Sequence, residues 1–285
     1  MNKFHFTIKK NQIKLIPAYI IVIAWVLFTF ILIAWVVFAS FSTSAEMFSD
    51  HMFAFKTGFH FENYATAWKT QKVSIYFMNS IMYTLVSCAA IILIATPASY
   101  VLSRFRFKGN TLAQNLFISS LGIPAIMIIM PLFSVVSQLH LLNNRWLLIF
   151  LYTSMQVPFT IFFMYPSFKN LSKTYEEAAA IDGCSPIGTY WRIMFPLIQP
   201  GLITVMIFNF IDIWNEYFMS LVFANKTSVR PVAVGLFNMI ESMRYTGNWG
   251  GMFASVVIVF LPTFILYLFL SKRIINGITA GAIKG

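Results

Sequence analysis

The chain is written in long apolar runs separated by short polar breaks. Such runs occupy Pro17 to Phe41, Ile75 to Leu102, Leu112 to Leu139, Arg145 to Phe168, Gly201 to Phe223 and Gly251 to Leu270. Each reaches the roughly 20 residues that a helix needs to cross about 30 Å of hydrocarbon. Apolar positions are contiguous within the runs rather than alternating, which favours helices over a barrel. The pattern therefore predicts an all-α integral membrane fold with six transmembrane helices. Pro97, Pro124, Pro131 and Pro158 fall inside the runs. Prolines at such depth mark bends whose freed carbonyls neighbouring helices satisfy.

Composition sharpens the class. Of 285 residues, 59% are hydrophobic and 10% charged, too little polar surface to cover a soluble domain of this size. The net charge of +11 does not point to nucleic acid, because the bases flank apolar runs instead of forming one patch. They read as orientation signals and as contacts to anionic lipid headgroups. Lys and Arg number four in residues 1–16 and three each in the Arg104–Lys108 turn, the stretch 169–200 and the tail; the intervening outer segments carry three, one and three. This bias predicts that both termini and residues 169–200 are cytoplasmic.

The expected organisation is a cytoplasmic N-terminus (1–16), a first transmembrane helix (17–41), an extracytoplasmic loop (42–74), a transmembrane core of five helices that includes the loop 169–200 (75–271) and a cytoplasmic tail (272–285). Thr43-Ser44-Ala45 could pass for a cleavage site, but the preceding run is too long for a signal-peptide core and reads as an uncleaved anchor. His51 and His60 lack a third ligand in the same loop and read as plain loop histidines. Cys88 lies in an apolar run and Cys184 in a polar stretch, so neither a disulfide nor a metal site is expected. No GxxxxGK[ST] phosphate-binding loop occurs.

One polar stretch interrupts the pattern, Lys169 to Gly201. It reads as two short helices joined at Gly183. Thr174 is expected to N-cap the first, with Glu177 closing a capping box, and Glu176 and Glu177 suit the positive end of the helix dipole. Gly183 is expected to end the helix in a left-handed conformation. Ser185 and Pro186 then start the second helix as N-cap and first position, and Pro196 and Pro200 are expected to close it. On local chemistry alone, a solvated hairpin without a special role fits equally.

The residues follow a longer spaced pattern: Glu177-Ala178-Ala179, three residues, Gly183, nine residues, Ile193, one residue, then Phe195-Pro196. This resembles the EAA loop of permease subunits in ATP-binding-cassette importers, with Phe195 where that pattern usually has Leu. Three further segments are similar to the carbohydrate branch, the maltose-type inner-membrane permeases. They are the basic turn Tyr100 to Gly109, Trp214-Asn215-Glu216-Tyr217, and the tail Gly277 to Gly285. The resemblance implies a bacterial plasma-membrane subunit that is not itself an enzyme and binds no cofactor. ATP and Mg would sit on two partner ATPase subunits. A second homologous permease, an extracytoplasmic sugar-binding protein and a sugar or oligosaccharide complete the expected partners. It also implies that Glu176, Glu177, Ala178, Ala179, Asp182 and Gly183 couple the chain to the ATPase.

The run at Gly201–Phe223 carries Asn209, Asp212, Asn215 and Glu216. Spacings of three and four put Asn209, Asp212 and Glu216 on one helical face. Two carboxylates at such depth are costly and point to a water-filled pathway or a paired position. The alternative is that Glu216 snorkels to the outer interface and that Trp214 and Tyr217 are interfacial anchors; the pathway role is the reading preferred. The rival reading is an ion-coupled secondary transporter that uses Asp212 and Glu216 as relay groups; a non-transport membrane scaffold would need no such polar face. Aromatics are 18% of the chain, and Trp249 is a weak candidate sugar contact.

Overall fold

The computed structural model describes residues 15–48 and 57–282, with the side chains of 243, 244 and 272 onward outside that description. The basic residues Lys3 to Lys14, Asp50, His51 and the last three residues of the tail signature also lie outside it. Helices follow in the order α1 (Ile16–Ser40), α2 (Ser44–Met47), α3 (Glu62–Ala65), α4 (Val73–Arg104), α5 (Asn110–Ser120), α6 (Ala125–Gln138), α7 (Arg145–Lys169), α8 (Thr174–Ile181), α9 (Pro186–Leu197), α10 (Gln199–Trp214), α11 (Phe218–Phe223), α12 (Val232–Thr246) and α13 (Trp249–Ala282). Among them α1, α4, α7 and the Trp249–Ser271 part of α13 are each long and apolar enough to cross a membrane.

Two of the six expected spans are not straight helices. The third is broken into α5 and α6, which meet at 98°. Pro124 stands at the break as the extended cap of α6, and its ring biases the residue before it away from helical geometry. Pro131, by contrast, sits inside α6 without ending it. The fifth expected span, Gly201 to Phe223, stops at Trp214 and restarts at Phe218. Here the Glu216 carboxylate accepts from the Met219 and Ser220 amides (2.6 and 3.0 Å) and becomes the cap of α11. The residues between break the helix because their polar groups offer the backbone another partner.

By chain contacts the protein divides into two units. In the first, residues up to 70 with 242–258, the polar segment after α1 is pinned by side chains. Thr43 and Glu46 form a capping box, and Glu46 also accepts from the Thr57 amide and hydroxyl (2.9 and 2.8 Å). Those bonds, the Thr43 amide's foremost, hold the Glu46 carboxyl down to about 2. His60 links Thr57 to Glu62. Asn63 donates to the carbonyls of Ser40 and Ser42. Trp249 packs edge-on to Phe48 and its amide donates to Ser44 Oγ. Trp249, the ring considered from sequence as a sugar contact, is half-buried there.

The second unit, residues 71–241 with 259 onward, is built on α4 against α7. Ser87 Oγ donates to the Ile149 carbonyl and Ser99 Oγ to the Ile161 carbonyl. Both separations are 62 residues, so the helices run parallel. Thr84, Ser87, Ala95 and Ser99 are fully buried along the α4 seam, and small residues of this kind let backbones approach closely in lipid. At the start of the pair, Tyr83 and Asn79 donate to the carbonyls of Val229, Ser228 and Arg230, and Arg145 donates to that of Ser228. At its other end, Arg104 meets the segment that follows α7. The α5–α6 pair is therefore a bent return from one end of α4–α7 to the other.

An apolar cluster joins Tyr76, Trp214 and Val232. Trp214 is buried there, stacked with Phe210 and donating to the Val259 carbonyl; it is a core residue and not an interfacial anchor. Gly235 lies against the Tyr76 ring, where an added Cβ would come within 2.2 Å of ring carbon. Overpacking of this kind costs about 1–3 kcal/mol. Gly235→Ala is therefore expected to lower the thermal midpoint of the detergent-purified chain by several degrees. Gly122→Ala, whose Cβ would find only ordinary contact at 3.4 Å, is expected to leave it unchanged. Equal midpoints for both variants would refute the close approach at Gly235.

Candidate functional site

The stretch between α7 and α10 folds as two short helices, α8 and α9, around Gly183. Gly183 has φ +73°, the left-handed conformation that residues with a Cβ resist. The Cys184 amide donates to the Ala179 carbonyl (2.8 Å) and the Gly183 amide to that of Ala180 (3.1 Å). These two crossed bonds are a Schellman closure and satisfy carbonyls that the end of α8 leaves open. Ser185 Oγ accepts from the Gly188 amide, and Pro186 takes the first position of α9. These elements match the expectation from sequence.

Three details differ. Thr174 is the first helical residue and not the N-cap; no capping box with Glu177 forms, and Ser172 Oγ accepts from the Thr174 amide instead. Pro196 does not close the second helix. A wide turn at Tyr190–Met194, in which the Phe195 amide reaches back to the Tyr190 carbonyl, lets the chain run through it to Leu197. The break falls at Ile198, with a 77° change of direction. Pro200 enters α10 in its first turn, where the missing N–H leaves nothing unsatisfied.

The six loop residues singled out from sequence divide by direction. Glu176 faces the helical core. Its Oε2 accepts from Arg104 Nε (2.9 Å) and from Arg104 Nη2, and its Oε1 from the Tyr100 hydroxyl (2.8 Å). Arg104 also donates to the Leu171 carbonyl (2.9 Å). With the Arg104 and Glu176 side chains only 5% and 23% exposed, losing either partner strands a part-buried charge. Ala179 is buried as well. Glu177, Ala178, Asp182 and Gly183 are exposed. Beside them stand Ile181 and Ile187, 86% and 74% exposed. Sequence reasoning passed over both, though apolar residues flanking the turn of an otherwise polar loop are a readable signal. Tyr100 and Arg104 were read only as part of a basic turn, because nothing local tells which distant carboxylate they meet.

The polar residues of α10 and its end divide in the same way. Asn209 is fully buried and donates to Thr160 Oγ1 of α7 (2.8 Å). Glu216 caps α11 and also accepts from the Ser220 hydroxyl (2.7 Å), which is bonded in turn to the Tyr152 hydroxyl. These two residues bind the structure together and do not share an open face with Asp212. Asp212 and Asn215 are exposed. Gln156 of α7 is the side chain that neighbours Asp212, and Asn215 donates back to the Ile211 carbonyl (2.9 Å). Phe159, Phe163 and Phe208 form a ring cluster with centroids 6.2–6.4 Å apart. No metal-binding group of three or more His, Cys, Asp or Glu occurs among the described residues.

Comparison with known proteins agrees with this architecture. The "Probable ABC transporter permease protein YurM" of Bacillus subtilis is 34% identical over 94% of this chain and 86% of its own length. The "Diacetylchitobiose uptake system permease protein NgcG" of Streptomyces coelicolor is 30% identical over 94% and 88%. The "Multiple sugar-binding transport system permease protein MsmG" of Streptococcus mutans is 32% identical over 87% and 89%. The fold superposes with a TM-score of 0.80, at 23% identity and over 94% of this chain and 98% of the other, on a chain from a bacterial ABC transporter involved in import of the acidic polysaccharide alginate. Residues 90–278 match the model of the binding-protein-dependent transport system inner membrane component. Those residues include the whole loop around Gly183 and the fastening of Glu176 to Arg104, and the chain belongs to that family.

Proposed function

We propose that the chain is one of two homologous permease subunits of an ATP-driven importer, that its cargo is a sugar or oligosaccharide, and that the α8–α9 loop transmits force from a separate ATPase. One observation carries this reading: the loop is fastened inward through Glu176 and Arg104 and bares Ile181, Ile187 and the Gly183 turn outward. A part built to move another part needs a stiff joint on one side and an adhesive face on the other. The relatives named for diacetylchitobiose and for multiple sugars support a sugar as cargo. The organisation that follows has α5–α6 and α9–α10 each counted within one bent span, six spans in all, with a cytoplasmic N-terminus, residues 42–74 outside and a cytoplasmic tail after 271.

In this scheme two partner ATPase subunits bind ATP and Mg and close on each other. Their movement draws the loops of the two permeases together. Because α8 is tied to the end of α4, the displacement passes into the α4–α7 pair as a rigid-body rotation that switches the side from which the pathway is open. Asp212 with Gln156, beside Asn215, offers hydroxyl-binding groups in that pathway, while an extracytoplasmic binding protein delivers cargo. The ion-relay alternative loses its second group, since Glu216 is spent as a cap.

Orientation is testable by single-cysteine labelling with an impermeant maleimide on intact cells, in a background lacking Cys88 and Cys184. A cysteine at Lys226 is expected to react and one at Gly183 not; the reverse result would invert the topology.

Coupling is testable at Gly183. No atom lies within 4 Å of a Cβ built there, so Gly183→Asp costs only the backbone strain of about 1 kcal/mol or more and should insert and pair normally. Co-purification of the ATPase and stimulation of hydrolysis by the binding protein are both expected to fall. Normal retention and normal transport in the variant would defeat the coupling role.

The pathway residue is testable by Asp212→Asn. Losing a charge-assisted hydrogen bond to cargo costs about 1.5–3 kcal/mol, so sugar uptake is expected to drop on the order of tenfold or more in a complex assembled at wild-type level. Glu216→Ala is expected instead to lower the amount assembled, through the lost cap of α11. Unchanged uptake kinetics in Asp212→Asn would remove it from the pathway.

A further inference from the structure

A pocket of about 590 Å³ opens where α4 gives way to α5 and faces the end of α7. Its charged lining is Arg104, Arg106, Lys169 and Lys173, and no carboxylate lines it. Arg104 is spent on Glu176, and Lys169 lies in the last turn of α7, offsetting the carbonyl end of that helix. Arg106 and Lys173 are exposed, and neither belongs to an ion pair among the described residues. The same wall carries the start of α5. Its cap is Gly109, which has no side chain to accept the first-turn amides. The Asn110 amide turns back to the Phe107 carbonyl (3.1 Å), and the Thr111 and Leu112 amides, without a cap side chain, favour an anion. Asn110 and Gln114 hold the wall in shape, since both donate to the Leu102 carbonyl (3.1 and 3.2 Å).

Next to this cationic hollow lies an apolar shoulder. Phe105, Phe107, Leu112 and Leu116 are all exposed. A free phosphate would use the hollow alone, whereas a phospholipid would use both, its headgroup in the pocket and its chains along the shoulder. We propose that this pocket binds a phosphate group, carried by an anionic phospholipid. The site rests on the proposed function only in being assigned to the cytoplasmic leaflet. Its Arg104 wall is the residue that holds Glu176, so a bound headgroup steadies the turn to which the coupling loop is fastened.

The test counts lipid, and so does not depend on transport or on which leaflet is cytoplasmic. The full chain, purified from membranes with its associated subunits, is reconstituted in nanodiscs of phosphatidylcholine containing phosphatidylglycerol, and retained phosphatidylglycerol is counted by native mass spectrometry. Wild type and Lys108→Gln, a cation of the same turn that does not line the pocket, are expected to retain one tightly held phosphatidylglycerol. Arg106→Gln with Lys173→Gln is expected to weaken it about fivefold per charge removed, on the order of 25-fold together. Inorganic phosphate in millimolar excess is expected not to displace it. Equal retention by the double variant would overturn the site. Equal loss in Lys108→Gln would reduce it to diffuse surface attraction, and displacement by inorganic phosphate would make the ligand a free anion. Loss of the ATPase from the double variant with lipid still held would reassign the patch to a protein contact.

Discussion

The close parallel pairing of α4 with α7 is the constraint on which the second unit depends. In lipid no hydrophobic force drives two apolar helices together, because the chains around them are equally apolar. Approach has to come from packing and from polar groups that need partners. The buried seam of Thr84, Ser87, Ala95 and Ser99 supplies both. Parallel partners, however, cannot be joined by a short turn. The α5–α6 return therefore has to carry the chain the length of the pair, and its 98° bend is the form that return takes.

The same pair sets both ends of the unit. At one end the turn at residues 228–230 is held by side chains from α4 and α7. At the other, Arg104 and Tyr100 seize the single carboxylate of Glu176. A two-helix loop that protruded on its own would bend under load. Tied through two donors on one helix, it moves with that helix. The proposed transmission of force thus depends less on the exposed turn than on the part-buried ion pair behind it.

Polar residues at depth turned out to serve two purposes. Asn209 and Glu216 were placed with Asp212 by helical spacing, yet one bonds Thr160 and the other caps α11. Spacing along an assumed helix says which residues share a face, but not where the helix stops or which neighbour arrives. Glu216 illustrates the point: the helix has ended before it is reached, and its side chain caps the next one. Interhelical hydrogen bonds of the Asn209–Thr160 kind contribute only about 0.6 kcal/mol on average. They fix rotation and register more than stability.

Much was legible in the amino-acid order alone. The apolar runs announced membrane helices because hydrocarbon admits few charges for about 20 residues at a time. The Gly183 turn and the Ser185-Pro186 start could be read because caps and left-handed turns are satisfied within a few residues. The spaced pattern around Glu177 pointed to the family. Tertiary structure alone decided that Glu176 faces inward while Ile181 and Ile187 face out, that α4 and α7 run side by side, and that Pro124 breaks a helix which Pro131 and Pro196 do not. The reason is physical. A proline inside a helix removes one donor and crowds one carbonyl, and whether the helix ends there depends on what neighbouring backbone can do with the freed group. A carboxylate likewise takes whichever donors packing brings to it, and for Glu176 those donors are Tyr100 and Arg104, 76 and 72 residues away along the chain.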